Sequence, residues 1–228
     1  MSDIIVKAAS YLGPEGYGNS RTGLKPWPDA LAQAVARGEV PDTSWATLFS
    51  SSCPRFGRMD ALSRLGLMAV ELLGVDFSAL PERDRDELGV CLETRFGCLA
   101  ADLNFLETLS PSVFTYTLPS TAIGEICIRH RLRGPVLCLI PANDNEQQAL
   151  EQARARLRDG GAARCLCIGC DALAEPAVRR LGQRAGTQAG ALYLGPDEHP
   201  SPSLACDGPL LELCRRLCVR AEIQYKSG

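Results

Sequence analysis

Five short apolar runs stand out along the chain, at Ile4 to Ser10, Leu88 to Thr94, Val136 to Pro141, Cys165 to Asp171 and Gly190 to Leu194. Their length and flanking turn residues predict β-strands. Between them, apolar positions recur at helical spacing over Asp29 to Arg37, Met59 to Leu73 and Leu99 to Leu109. The same spacing predicts helices over Thr121 to Leu132, Asn145 to Asp159 and Pro176 to Arg184, and a last one over Leu210 to Arg220. Asp144 or Asn145 is placed to cap the fifth of these, and Gly160-Gly161 to end it. Two stretches rich in glycine and proline, Gly13 to Pro28 and Gly195 to Pro209, read as surface loops. Strands alternating with helices indicate an α/β layer structure: residues 1–228 as one domain around a five-stranded, mixed and mostly parallel sheet.

Composition narrows the function more than the fold. With 46% hydrophobic and 22% charged residues, the 228-residue chain has the balance of a folded domain rather than a disordered one. A formal net charge of −3 argues against nucleic-acid binding through bulk charge. No stretch approaches the roughly 20 apolar residues that cross a bilayer. Met1 to Val6 lacks the basic start of a signal peptide, so a cytoplasmic location is expected.

Eleven cysteines without an export signal point to reduced thiols rather than a disulfide framework. The tempting group is Cys165, Cys167 and Cys170. On a strand the first two face one way and the third the other, and no second pair with matching spacing completes a metal site. Core packing is therefore the expected role, and no metal or cofactor is expected. Cys214 and Cys218 share one face of the last helix and read the same way. Gly13, Gly16 and Gly18 are spaced loosely like a nucleotide loop, but no capped helix opens behind them.

The most specific segment is SPSVFTYTLPSTAIGEICIRHRLRGP, Ser110 to Pro135. It resembles the β-ketoacyl-acyl-carrier-protein synthases of the thiolase-like superfamily, where a similar run precedes the strand leading to the nucleophile. Val136 to Leu173 keeps that family's order: strand, nucleophile turn, helix, Gly160-Gly161-Ala162, then a strand ending near Asp171. The resemblance covers the family's N-terminal half and implies a thiolase-like half-fold. Such an enzyme needs a cysteine where a strand meets a helix N-terminus, because the helix dipole favours a thiolate there. Counted from Gly134-Pro135, that place holds Asn143, whose amide cannot attack a thioester. Cys138 lies within the strand, and the family's two histidines belong to its other half. His130 and His199 match no motif of it. The resemblance is thus to chain-length factors, relatives without the nucleophile that pair with an active synthase, and it implies no condensation by this chain alone.

By the same resemblance, Tyr116, Leu118, Thr121, Ile123 and Ile126 line an acyl channel, and Val136, Leu137, Cys138, Leu139 and Ile140 form the dimer interface. The partner is a full-length ketosynthase or a second copy. Arg129, Arg131 and Arg133, followed by Arg154, Arg156 and Arg158, are candidates for docking an acidic acyl carrier protein. The stretch from Pro119 to Gly134 is about one helical turn shorter than in elongating synthases, so channel depth does not carry over. Two halves of the family pack helix on helix, which implies an apolar face here; Leu210, Leu211, Leu213, Leu217 and Val219 can cover part of it. The alternatives are a homodimeric domain that binds an acyl group or carrier protein without chemistry, or an enzyme of another class using Cys53, Cys98 or Cys206.

Overall fold

The computed structural model describes residues 4–40, 49, 51–141, 147–173, 178, 186–196 and 208–226, the side chains of residues 30 and 221–226 excepted. Seven strands form one sheet: β1 Ile4–Gly13, β2 Gly16–Asn19, β3 Gly23–Lys25, β4 Leu88–Glu93, β5 Val136–Leu139, β6 Arg164–Leu173 and β7 Gly186–Pro196. Their order is β3-β2-β1-β7-β6-β4-β5. The expectation of an α/β layer structure with a mixed sheet holds, and two details change.

The first is the strand count. The stretch expected as a loop between Gly13 and Pro28 folds back as β2 and β3, a hairpin extending the sheet beyond β1. A side chain at Gly18 would collide with the carbonyl of Gly23 across this hairpin, so the glycines are there for close backbone approach. Trp27 closes the hairpin, its Nε1 donating to the Gly13 carbonyl at 2.6 Å and its ring lying 4.7 Å from that of Tyr17. The glycines resembling a nucleotide loop are therefore strand residues. The second change is direction. Only β4 pairs in parallel, with β5 and β6, while the other four pairings are antiparallel. Helical crossovers of the length a parallel pair requires lie between β4 and β5 and between β5 and β6. An apolar run looks the same in either direction, which is why the sequence pattern missed the antiparallel half.

The helices are α1 Asp29–Ala36, α2 Ala61–Leu72, α3 Glu82–Asp86, α4 Leu99–Thr108, α5 Pro111–Phe114, α6 Ser120–His130, α7 Gln148–Arg158 and α8 Leu210–Lys226. The helix expected over Pro176 to Arg184 lies almost wholly outside the described residues. Asp60 starts α2 by accepting from the backbone N–H groups of Leu62 and Ser63. On one face of the sheet α2 and α6 pack against each other and bury Leu65, Met68, Ile126, Val90 and Ile168. On the other face α7 and α8 cover Cys91, Cys165, Cys167, Leu192 and Leu194. β4 is buried along its whole length. Cys165 and Cys167 face α7 and α8, and Cys170 faces α2, as the strand period requires. Among the described residues, no helix is long and apolar enough to cross a membrane, and no three metal-ligating side chains cluster.

Candidate functional site

The parallel strands β4, β5 and β6 end together beside the first turn of α7, and this is where the chemistry of a strand–turn–helix site would sit. Asn143, Asp144 and Asn145 lie outside the described residues. α7 starts at Gln148 rather than Asn145, and its N-cap Gln147 makes no side-chain cap. A carboxylate from the neighbouring strand does that work: Glu93, the last residue of β4, accepts the Ala149 N–H at 2.8 Å. Glu93 is buried, and this bond satisfies its carboxyl and a first-turn N–H of α7 together.

Beside it, Asp171 at the end of β6 accepts from the backbone N–H of Arg95 at 2.8 Å and from its Nε at 2.7 Å. Thr94 Oγ1 donates to the same carboxylate at 3.4 Å and accepts from the Gly97 N–H at 3.1 Å. These bonds fix the loop after β4 against β6. From above, α8 lowers Leu210 and Leu211 onto Gly169, where an added side-chain carbon would come within 3.1 Å of Leu211. The space left among Glu93, Arg95, Pro141, Asp171 and Leu211 is 10 Å³, about one water. Cys138 offers no substitute nucleophile, since it lies within β5 and burial raises its pKa. Burial likewise pushes up the Cys98 thiol at the start of α4. His130 is no acid–base candidate either: burial, then Arg129, lowers its pKa to about 4. Its ring packs edge-on against Phe77, and Nε2 lies 3.7 Å from Glu71. His199 and Cys206 lie outside the described residues.

The residues expected to line a channel divide. Tyr116 borders a cavity of 610 Å³ and donates from its hydroxyl to Glu125 at 3.1 Å. Glu125 is itself buried and held by both Nε and Nη2 of Arg55. Thr121 donates to the Thr115 carbonyl, which pins the start of α6. Ile123 and Ile126, by contrast, are buried in the core on the α2 side. The interface residues also divide by strand period. Leu137 and Leu139 pack on the α7 side of the sheet, and Cys138 toward the opposite core. Val136 and Ile140 are exposed, at 54% and 58%. Among the described residues, β5 pairs with β4 alone and forms one edge of the sheet. Every exposed large apolar side chain among the described residues falls between Leu106 and Ile140, Phe114, Leu118 and Ile128 included.

The arginine stripe needs a correction. Arg129 turns inward, with Nε 2.9 Å from the buried Glu71 and its two terminal nitrogens donating to the carbonyls of Ser52 and Ser51. It is a structural residue, because its guanidinium satisfies a buried carboxylate and two carbonyls at once. Arg133 pairs with Glu82 and Asp86 at the surface. Arg131 is exposed in a left-handed conformation at the end of α6. Sequence reasoning missed Glu93 and Arg95, and cast Leu211 only as part of a cover for an apolar face. A glutamate ending a fully apolar strand was the available signal for the first; nothing local marks Arg95.

The half-fold built around this strand–turn–helix corner is that of the condensing enzymes. The chain belongs to the β-ketoacyl synthase family: the family described as "Beta-ketoacyl synthase, N-terminal domain" matches residues 20–193. Comparison with curated proteins yields no match. Among solved structures, "The ishigamide ketosynthase/chain length factor" superposes with a TM-score of 0.65 at 19% identity, over 87% of this chain and 63% of that one. The ketosynthase ApeO in complex with its chain length factor ApeC, from Xenorhabdus doucetiae, gives 0.61 at 15% identity over 96% of this chain and 92% of the matched one. That matched chain is therefore of nearly the same length. AntDE:AntF, a type II acyl carrier protein in complex with its ketosynthase, gives 0.63 at 17% identity over 87% and 64%. The chain thus spans less than two thirds of the first and third of these and most of the second. At such identities the likeness establishes the fold.

Proposed function

We propose that this chain is a non-catalytic, chain-length-factor-like subunit that pairs with an active β-ketoacyl synthase in fatty-acid or polyketide and polyene synthesis in the cytoplasm. The observation that carries the reading is the occupied corner: the α7 N–H that could have faced a thiolate or oxyanion already holds Glu93, in a space of 10 Å³. With that N–H already satisfied, it is not free to stabilise an anionic nucleophile or intermediate. Asn143 in place of cysteine points the same way. Support for the pairing comes from the β5 edge, which has no further strand beside it among the described residues and carries exposed Val136 and Ile140. A strand added there continues the sheet, and an obligate interface of this kind buries on the order of 2,000 Å². Leu118 and Tyr116, beside that edge, would then shape the shared acyl channel. Ile123 and Ile126 would support it from behind. Arg131 and Arg133 remain the surface positions suited to an acyl carrier protein.

The test is twofold. Incubated with acyl- and malonyl-carrier proteins, the chain alone gives no condensation product and no acyl adduct by mass spectrometry, and Asn143→Cys restores neither. Co-expressed with a candidate synthase, it co-purifies in a one-to-one complex. An adduct between Ala142 and Asn145 would overturn the non-catalytic reading. A stable homodimer that ignores every synthase offered would favour a self-paired acyl- or carrier-binding domain instead.

A further inference from the structure

A cavity of 380 Å³ opens between the turn that joins β1 to β2, the start of β7 and the first turns of α8. Its volume is within the range of small-molecule sites, and it shares only Leu211 with the closed corner. Tyr11 and Leu211, both buried, form its apolar part, with Pro14 and Pro209 beside them. Three charged side chains line it, Glu15, Glu212 and Arg215, so the lining carries one net negative charge. The two carboxylates are unevenly satisfied. Glu212 is taken up by Arg215, whose Nε and Nη2 donate to its two oxygens at 2.8 and 2.9 Å. That bidentate pairing lowers the Glu212 pKa. Glu15, by contrast, is held loosely: the Tyr11 hydroxyl donates to it from 3.3 Å, and Arg215 Nε stands 3.8 Å away. A hydroxyl bound firmly to a carboxylate closes to about 2.5–2.7 Å. Glu15 therefore keeps acceptor capacity that its described partners do not saturate. From β7, Gln188 adds a carboxamide oxygen, a further acceptor.

From this arrangement we infer a site for an organic cation bearing N–H donors, an ammonium or guanidinium on a short apolar stem. Its head would sit at Glu15 and Gln188, and its stem on Tyr11, Pro14 and Leu211. Charge-assisted bonds to an under-bonded carboxylate favour such a head. An anion would meet two carboxylates and a guanidinium already engaged. The site uses this chain's residues alone and does not depend on pairing with a synthase.

Titration of the isotope-labelled full chain with n-butylammonium, n-butylguanidinium and 1-butanol, followed by NMR at constant ionic strength, tests it. Both cations are expected to shift the Gln188 side-chain amide with a Kd of about 1–3 mM, in keeping with roughly five to eight heavy atoms. 1-Butanol should bind at least about tenfold more weakly. Glu15→Gln, at an exposed position, removes the charge and keeps the shape, and should weaken both cations about tenfold. Arg215→Gln frees Glu212 and should strengthen both several-fold, whereas it would weaken an anion site. Nα-acetyl-lysine and Nα-acetyl-arginine methylamides separate two sources of the same head group. If they bind as well as the simple amines, the occupant is a basic side chain of a protein; if only the simple amines bind, it is a small molecule. Equal binding of cation and alcohol, indifference to Glu15→Gln, or weakening by Arg215→Gln would each overturn the site. So would no shift of Gln188 up to about 30 mM, where a site of this affinity is about nine-tenths occupied.

Discussion

The helical layer of α7 and α8 and the margin formed by α5, α6 and β5 are finished in opposite ways. Across the first, Leu210, Leu213, Cys214, Leu217 and Cys218 point into the sheet, while Glu151, Gln152, Arg158, Arg216 and Arg220 point out. The chain's own last helix closes that face and gives it a polar exterior. Along the second, Leu118, Ile128, Val136 and Ile140 remain in contact with water. That face of the sheet is covered by α7 and α8, with Leu210, Leu213 and Leu217 among the covering residues. The uncovered apolar surface lies instead at the edge strand. Apolar side chains concentrated on one margin are the surface that the proposed pairing would use. The lesson is that the two faces should respond to different measurements: substitutions on the closed face change stability, and those on the open margin change association.

The largest expected effect tests a residue that sequence assigns to the margin and the structure places inside. Arg129→Ala should destabilise the fold by about 3–5 kcal/mol in urea unfolding, because it leaves Glu71 buried without its partner. Arg131→Ala should change stability by less than about 0.5 kcal/mol. Equal effects of the two would return Arg129 to the surface. Next, Leu213→Ala on α8 should cost about 2–4 kcal/mol, the usual range for a buried leucine. A loss below about 1 kcal/mol would mean that α8 does not close its face.

A third effect depends on pH. His130 takes up a proton near pH 6.5 when unfolded and only near pH 4 when folded. Between those values the unfolded chain binds more protons, so stability falls as the pH falls. The loss should be on the order of 2–3 kcal/mol by pH 4 and absent above pH 7. His130→Gln should flatten the unfolding free energy across that window; an unchanged slope would assign the pH dependence to the carboxylates. The smallest expected change in stability is the sharpest test of the comparison. Val136→Lys should leave the unfolding free energy within about 0.5 kcal/mol. Sedimentation or co-purification should nevertheless show pairing weakened at least tenfold. If pairing survives, the open edge is not the interface.

Much of this molecule was legible from local pattern. The alternation of apolar runs and helical spacing placed β4, β5, β6, α2, α6 and α7 within a few residues, and the order from Ser110 to Leu173 identified the family. The two-residue strand period alone put Cys165 and Cys167 opposite Cys170, and the same period separates Val136 from Leu137 at the edge. Those features depend on residues a few positions apart, which sequence spacing records directly. Other features were decided by segments distant in the chain. β7 inserts antiparallel between β1 and β6, joining partners as far apart as Ile4 and Pro196 with ones as near as Leu173 and Gly186, and a hydrophobic run carries no record of direction. Glu93 caps a helix that begins 55 residues later, Arg129 finds Glu71 on another helix, and Leu211 reaches Gly169 from the far end of the chain. A charged side chain is solvated or buried according to the partner the fold brings to it, and no spacing along the chain specifies that partner.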